Sequence, residues 1–239
     1  MACLYGLGRY LKAKVHTAPV RRTGISEAQR RRHWDDRYSS SSPHGVSWFQ
    51  ERPAVSLELI SAAGAHGTAS LIDVGGGAAR LVDHLLADGW SDLTVLDVSN
   101  VALDESRERV GPNPRVQWIE HDLLTWHPAR RYDVWHDRAV FHFLVSEGAR
   151  QQYRAVMSEA LAPNALIIVG TFALDGPRQC SGLPVTRYDA EALVKAFGTR
   201  FDVLATRREA HVTPHGVTQP FTWVALRHQG PLRGRKVSR

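Results

Sequence analysis

Apolar and polar positions follow two successive rhythms along the chain. From Ser26 to Tyr38 the spacing is helical, and Ser26 with Gln29 three residues on has the form of a reciprocal N-terminal cap. Ser39–Ser42, Pro43 and Gly45 then make a polar loop. Pro53 suits the first turn of a second helix, which Val55, Leu57, Leu59 and Ile60 carry to Gly64. From Ser70 onward short apolar runs alternate with amphipathic stretches. Runs at 70–74, 93–97, 116–119, 132–135 and 165–169 predict strands, and 78–88, 101–110 and 148–161 predict helices. Runs that are apolar throughout belong to strands buried on both faces, as in a parallel sheet with right-handed crossovers. The end of the chain departs from this alternation. Phe201–Leu204 and Phe221–Leu226 read as two strands joined by a loop alone, hence antiparallel.

Composition narrows the class. The chain has 239 residues, 43% of them hydrophobic and 23% charged, enough to bury a full core. Its two cysteines, Cys3 and Cys180, exclude a disulfide framework and a multi-cysteine metal site. No run has the roughly 18–20 apolar residues of a membrane span. The formal net charge of +6 sits at the ends: residues 1–40 hold 9 basic and 3 acidic side chains, and residues 227–239 hold 5 basic and none acidic. The stretch between them is net negative. A groove that tracks phosphates needs a basic folded body, so nucleic acid is not the expected partner. The first 26 residues carry five basic side chains and no acid, a composition shared by flexible extensions and by transit peptides.

The sharpest local signal is Asp73-Val-Gly75-Gly76-Gly77-Ala78-Ala79, between a strand and a helix. A glycine turn there lets backbone approach a ligand, and the helix start favours negative charge. Counted from Gly75, the sixth position of a dinucleotide fingerprint is Arg80, which cannot give the close packing of a third glycine. No Gly-Lys-Ser/Thr follows, so the phosphate-loop pattern fails too. Three acids fit another ligand. Asp73 precedes the turn, Asp97 ends the second strand and Asp122 follows the third. Such positions, at the carboxyl ends of parallel strands, suit in turn an amino group, the two ribose hydroxyls and an adenine amino group. Together these describe S-adenosylmethionine, with no metal required.

On these residues the chain resembles the class I S-adenosylmethionine-dependent methyltransferases, over roughly Trp34 to Leu226. The resemblance implies an α/β Rossmann-like sheet of seven mostly parallel strands in the order 3-2-1-4-5-7-6, strand 7 antiparallel, with helices on both faces. It implies cofactor contacts from Asp73, Gly75, Gly77, Asp97, Val98, Asp122 and Leu123. Ala79 stands where many members have a further glycine. His33-Trp34-Asp35-Asp36-Arg37-Tyr38, with Ser47-Trp48-Phe49-Gln50, resembles a bacterial subgroup and, more distantly, protein-lysine methyltransferases. In these the N-terminal segment folds over the cofactor, which implies that Trp34, Tyr38 and Trp48 line its methionine end. The expected organisation is a flexible basic extension over 1–25, a methyltransferase domain over 26–226 with its lid at 26–64, and a basic tail over 227–239.

Methyl transfer from a sulfonium is a direct displacement, so no catalytic side chain is obligatory. The acceptor pocket is expected after the fourth strand, at Trp135-His136-Asp137-Arg138-Ala139-Val140-Phe141-His142. Arg138 could hold a substrate carboxylate and His142 could serve as a base; Arg187 and Tyr188 are further substrate-side candidates. Against this, Arg138 could pair with Asp137 or Asp133 as scaffold. Cys180 lacks a partnered base, and His142, His211 and His215 lack metal-ligand spacing. A small-molecule acceptor is expected. A protein-lysine acceptor and a non-catalytic adenosyl-binding module are the alternatives. The cytoplasm is the expected compartment, or the mitochondrion if the basic start is a transit peptide; acceptor atom and oligomeric state are left open.

Overall fold

The computed structural model describes residues 26–42 and 45–229. The expected extension over 1–25 and most of the basic tail lie outside them. In chain order the main elements are α1 (Glu27–Ser39), α2 (Ala54–Ala62), β1 (Leu71–Val74), α3 (Leu81–Ala87), β2 (Leu93–Asp97), α4 (Asn100–Val110), β3 (Val116–Glu120), β4 (Tyr132–Arg138), α5 (Glu147–Ala160), β5 (Leu161–Phe172), β6 (Gln179–Cys180), β7 (Leu183–Pro184), α6 (Ala190–Phe197), β8 (Phe201–Val212) and β9 (Thr218–His228). A single 3₁₀ turn, Phe141–Phe143, follows β4.

Seven strands form one sheet in the order β3-β2-β1-β4-β5-β9-β8. β1 to β5 pair in parallel, and β9 runs antiparallel to both β5 and β8. This is the expected order, with β8 and β9 as its sixth and seventh strands. The sheet carries a core on each face, because successive residues of a strand point to opposite sides. Ile72, Val74, Ile167 and Val169 pack with Tyr153 and Met157 of α5 and with Leu193 and Phe197 of α6. Leu71, Leu166 and Ile168 pack with Leu59 and Ile60 of α2, Leu81 and Leu85 of α3 and Leu103 of α4. Each such fully buried side chain contributes about 1.5–3 kcal/mol.

Several elements differ from the sequence expectation. The glycine turn delays α3 to Leu81, because Gly75 and Gly77 have φ of +67° and +36°, outside the helical region. β4 runs three residues further than expected, through His136, Asp137 and Arg138. Its polar end reads as loop in the sequence but is buried and hydrogen-bonded. Asp137 accepts from the Val140 and Phe141 N–H groups and from the Tyr153 hydroxyl at 2.7 Å. Burial pushes the Asp137 carboxyl up to about 6, against these donors. The β6–β7 hairpin and α6 were not expected. α6 is nonetheless well specified: Asp189 caps it by accepting from the Ala192 N–H, and Leu193 and Phe197 supply its buried stripe. α1 is capped as expected, Ser26 and Gln29 each bonding the other's backbone N–H.

Candidate active site

The site lies at the carboxyl ends of β1, β2, β3 and β4. Its floor is the glycine turn. A Cβ on Gly75 would come within 2.1 Å of the Val140 methyl group, and one on Gly76 within 2.6 Å of Asp73 Oδ2. A Cβ on Gly77 would meet Asp97 Oδ2 at 2.8 Å and the Tyr38 hydroxyl at 3.1 Å. The three glycines therefore let two carboxylates and the lid tyrosine crowd onto one backbone loop.

Asp97 closes β2 and lines the main chamber. The Ser99 N–H donates to its Oδ1 at 2.9 Å. Burial pushes its carboxyl up to about 7, the nearby Asp73 charge adding to the shift. A carboxylate kept in so poor a setting gains from a ligand that brings hydrogen-bond donors. Asp122 lies beyond β3 in the same chamber, with Val98 and Leu123 beside the two acids. Its Oδ1 accepts from the Leu124 N–H at 2.9 Å, and its Oδ2 accepts from Arg30 Nε at 2.7 Å. Arg30 belongs to α1, so the lid already engages the acid expected to take an adenine amino group.

The lid is held down by polar bonds at the strand ends and by aromatic edges over the chamber. Ser99 donates its hydroxyl to Asp35 at 2.7 Å, and Arg31 pairs with Glu120 at 2.9 Å. Trp34 meets Trp48 and Phe143 edge-on at 5.9 and 5.2 Å, and Tyr38 meets Trp48 at 5.8 Å. All three expected lid aromatics line the main chamber, which encloses about 910 Å³ with its open mouth. Burial drives the Tyr38 phenol far above its usual range, so it stays protonated. His211 Nε2 lies 2.7 Å from the Ser47 carbonyl and His215 Nε2 3.1 Å from that of Gly45. Both histidines thus pin the loop that carries Trp48. Among the described residues no three side chains form a candidate metal site.

A second chamber adjoins the first, with Tyr38, Trp48, Gly75 and Arg138 lining both. It contains a buried chain of three polar side chains. His136 Nδ1 lies 2.7 Å from Asp73 Oδ1, and His136 Nε2 lies 2.9 Å from the Ser56 hydroxyl. Parallel pairing of β1 with β4 sets Asp73 beside His136, and α2 brings Ser56. Ser56, His136 and Arg30 were not singled out in the sequence. The available signal was His136 itself, a polar side chain in a strand that needs a buried partner.

Of the four substrate-side candidates, Arg138 alone lines either chamber. It ends β4 rather than following it, and it pairs with neither Asp137 nor Asp133. Its Nη1 donates to the Trp48 carbonyl at 2.7 Å, and its guanidinium lies 5.1 Å from the Phe221 ring centre. Its Nε and Nη2 are shielded and without a partner. Burial draws its pKa down, with Glu209, Cys180 and Asp73 opposing that shift. His142 turns instead into the core. It packs against the Phe143 and Phe172 rings at 4.5 and 4.7 Å, and its Nδ1 accepts weakly from the Phe172 N–H at 3.4 Å. Burial, reinforced by the Arg138 charge, pulls it down to about 3. A neutral histidine sealed from both chambers cannot be the base expected there. Arg187 donates to the Leu174 and Gly176 carbonyls. Tyr188 is buried against Phe141 and faces a groove beside α5 and α6. The chain turns back through β6 and β7, which carries both residues away from the cleft while leaving Cys180 in its wall.

Comparison with known proteins agrees with this geometry. Residues 72–167 match the family described as methyltransferase domain. No curated protein matches the sequence. Among solved structures, a SAM-dependent methyltransferase of Anabaena variabilis ATCC 29413 superposes with a TM-score of 0.67 at 16% identity, covering 86% of this chain and 96% of that one. The N-methyltransferase NodS of Bradyrhizobium japonicum WM9 gives 0.60 at 16% identity, covering 74% and 95%. The 1,6-didemethyltoxoflavin-N1-methyltransferase of Burkholderia thailandensis gives 0.61 at 17% identity, covering 84% and 85%. At these identities the structural likeness is one of fold. The match to the methyltransferase-domain family spans residues 72–167, the stretch that carries the Gly75–Gly77 turn, Asp97 and Asp122. No helix among the described residues is long and apolar enough to cross a membrane.

Proposed function

We propose that the chain methylates a small molecule, using S-adenosylmethionine held along β1, β2 and β3. The residues suit that cofactor. The Gly75–Gly77 turn has no room for a Cβ because Val140, Asp73 and Asp97 press against it, and the Gly75 backbone faces both chambers. Asp97 offers a buried acceptor for the ribose hydroxyls, and Val98 and Leu123 offer apolar sides for the adenine. Asp122 reaches the same chamber, but it would share its carboxylate between the adenine amino group and Arg30. The cofactor supplies a methyl group on a sulfonium, which needs only an aligned lone pair to displace it. The protein's part is to hold the acceptor in line and keep water out.

The observation that carries the small-molecule reading is the lid. Trp34, Tyr38, Trp48 and Phe143 roof the chamber, and an aromatic, water-excluding roof suits a compact, partly apolar acceptor. The Burkholderia enzyme, whose structure holds bound 1,6-didemethyltoxoflavin and S-adenosylhomocysteine, has a similar fold. The chamber's proton acceptors, Asp97, His121 and Asp122, lie at the ends of β2 and β3, on the side given to the ribose and adenine. The Tyr38 phenol and the Cys180 thiol are both pushed up by burial, and His142 lies outside. The test is a transfer assay with isotope-labelled methyl donor and cell extract, separated into protein, nucleic-acid and small-molecule fractions. Label in the small-molecule fraction, lost in Asp97→Ala, is the expected result. Label in the protein fraction alone would replace the reading with a protein acceptor.

A further inference from the structure

The wall of the main chamber beyond β4 holds an arginine without a bonded counter-ion. Arg138 ends β4, and the strand order puts β1 between it and the acids of β2 and β3. Its surroundings come from the other side. Cys180 of β6 stands in the same wall, and Phe221 of β9 lies against the guanidinium. Glu209 and Asp73 act on this charge through space, but neither bonds it. Glu209 accepts from Gln50 Nε2 at 2.6 Å and from Trp223 Nε1 at 2.8 Å, and Asp73 Oδ1 engages His136. The neighbouring Asp137 serves the Val140 and Phe141 N–H groups and the Tyr153 hydroxyl. Burial pushes the Cys180 thiol up, so it supplies no anion either.

What remains of Arg138 is one edge of its guanidinium. Nη1 donates to the Trp48 carbonyl, while Nε and Nη2 are shielded from solvent and have no partner. Those two nitrogens share an edge, and two parallel N–H groups on one edge grip a carboxylate. Buried donors left unmade are costly, the more so on a charged group. Arg30, the other arginine lining this chamber, already engages Asp122. Around the open edge the lining is apolar: Ala139, Val140, Phe143 and Leu144 follow β4, and Trp34 and Trp48 close over it.

We propose that the methyl acceptor is a compact aromatic or heteroaromatic acid, its carboxylate on the Nε and Nη2 edge of Arg138 and its ring under Trp34, Trp48 and Phe143. This names the acceptor class of the site and rests on the methyl-transfer reading above. An ammonium group would bring a second positive charge to the same wall, which disfavours a lysine acceptor. The acid also acts on the lid. The open edge is shielded while Nη1 holds Trp48, so the carboxylate enters with the Trp48 loop raised, and the loop reseats over the filled edge.

The experiment is calorimetric titration of the full chain, saturated with S-adenosylhomocysteine, with benzoate and with its neutral counterpart benzamide. The wild type should bind benzoate about tenfold or more tightly, as expected for charge-assisted bonds. Arg138→Gln should erase that preference. Arg138→Lys, which keeps the charge but not the fork, should bind benzoate more weakly than the wild type. Both variants should hold S-adenosylhomocysteine as the wild type does. A wild type that holds S-adenosylhomocysteine but binds neither probe, or binds both alike, would overturn the acid acceptor. So would an Arg138→Gln variant that keeps the preference, or variants that lose S-adenosylhomocysteine as well, which would put Arg138 in the service of the cofactor or the lid. A wild type that prefers benzoate but does not bind S-adenosylhomocysteine would overturn the cofactor reading instead and leave the anion site in place.

Discussion

Along β1, β2 and β3 the cleft is lined by a glycine turn and by acids at strand ends, each within a few residues of the apolar run that places it. Along β4 and the lid it is lined by side chains whose partners are remote in the chain. Asp73 meets His136 63 residues on, and Arg138 holds the Trp48 carbonyl 90 residues back, while His211, outside both chambers, holds that of Ser47 across 164 residues. The first wall depends on local backbone shape. The second depends on the sheet register and on the lid being closed. Substitutions in the first wall should therefore act on the ligand or on one turn, and substitutions in the second should act through the lid.

The largest effect is expected at the turn. Gly75→Ala combines a φ of +67° with a 2.1 Å approach to Val140, and should cost about 2–5 kcal/mol of stability in a denaturant titration. Gly216→Ala shares the left-handed backbone, φ +77°, but meets nothing within 4 Å. It should cost only the strain of about 1–2 kcal/mol. Equal costs at the two sites would mean that crowding against Val140, just beyond β4, does not hold the turn.

Asp97 should show stability opposed to function. Its carboxyl is raised to about 7 in the fold, well above the ordinary value near 3.9. The folded state then holds the proton more tightly than the unfolded one. Stability from this group is full below the unfolded value and is lost as pH rises through about 7. Asp97→Asn removes that loss, so its melting temperature should exceed the wild type's at slightly alkaline pH and converge with it in acid. The gain is on the order of 1–2 kcal/mol. A variant less stable than the wild type under alkaline conditions would show that the Ser99 bond outweighs burial.

The lid should respond more mildly. Arg30→Ala breaks a partly exposed ion pair with Asp122 and should cost about 1 kcal/mol. Amide exchange should quicken in α1 while the central strands stay protected. Exchange unchanged in α1 would mean that the aromatic contacts alone hold the lid. The smallest effect is expected for Arg187→Ala, outside both chambers. It should change stability by less than about 1 kcal/mol and leave cofactor affinity as it was; a clear fall in affinity would return Arg187 to the site.

This contrast also explains what could be read from the residues alone. The strands, the turn and the positions of Asp97 and Asp122 follow from short apolar runs that end in acids or glycine, and both features are local, whereas the sheet order, Val98 and Leu123 were legible through the resemblance. Trp34, Tyr38 and Trp48 were legible through resemblance, because their meeting over the chamber needs the whole lid in place. The end of β4 was read as loop, since His136, Asp137 and Arg138 are polar, and only their partners make them strand. The His136–Asp73–Ser56 chain depends on strand register and on α2, which no local pattern encodes. His142 looked like a base because its position in the chain is right; its ring faces Phe172, and that orientation is set by the turn at Phe141–Phe143.

The central claim is that Asp97 receives a hydroxyl-bearing ligand at the end of β2, and calorimetric titration with S-adenosylmethionine tests it most directly. The wild type should bind with micromolar affinity, and Asp97→Ala should lose about 1.5–3 kcal/mol of it. Because the ligand needs the charged carboxylate, wild-type affinity should fall as pH drops below about 7, and the Ala variant should not share that fall. Equal affinities for the two proteins across this pH range would contradict the account.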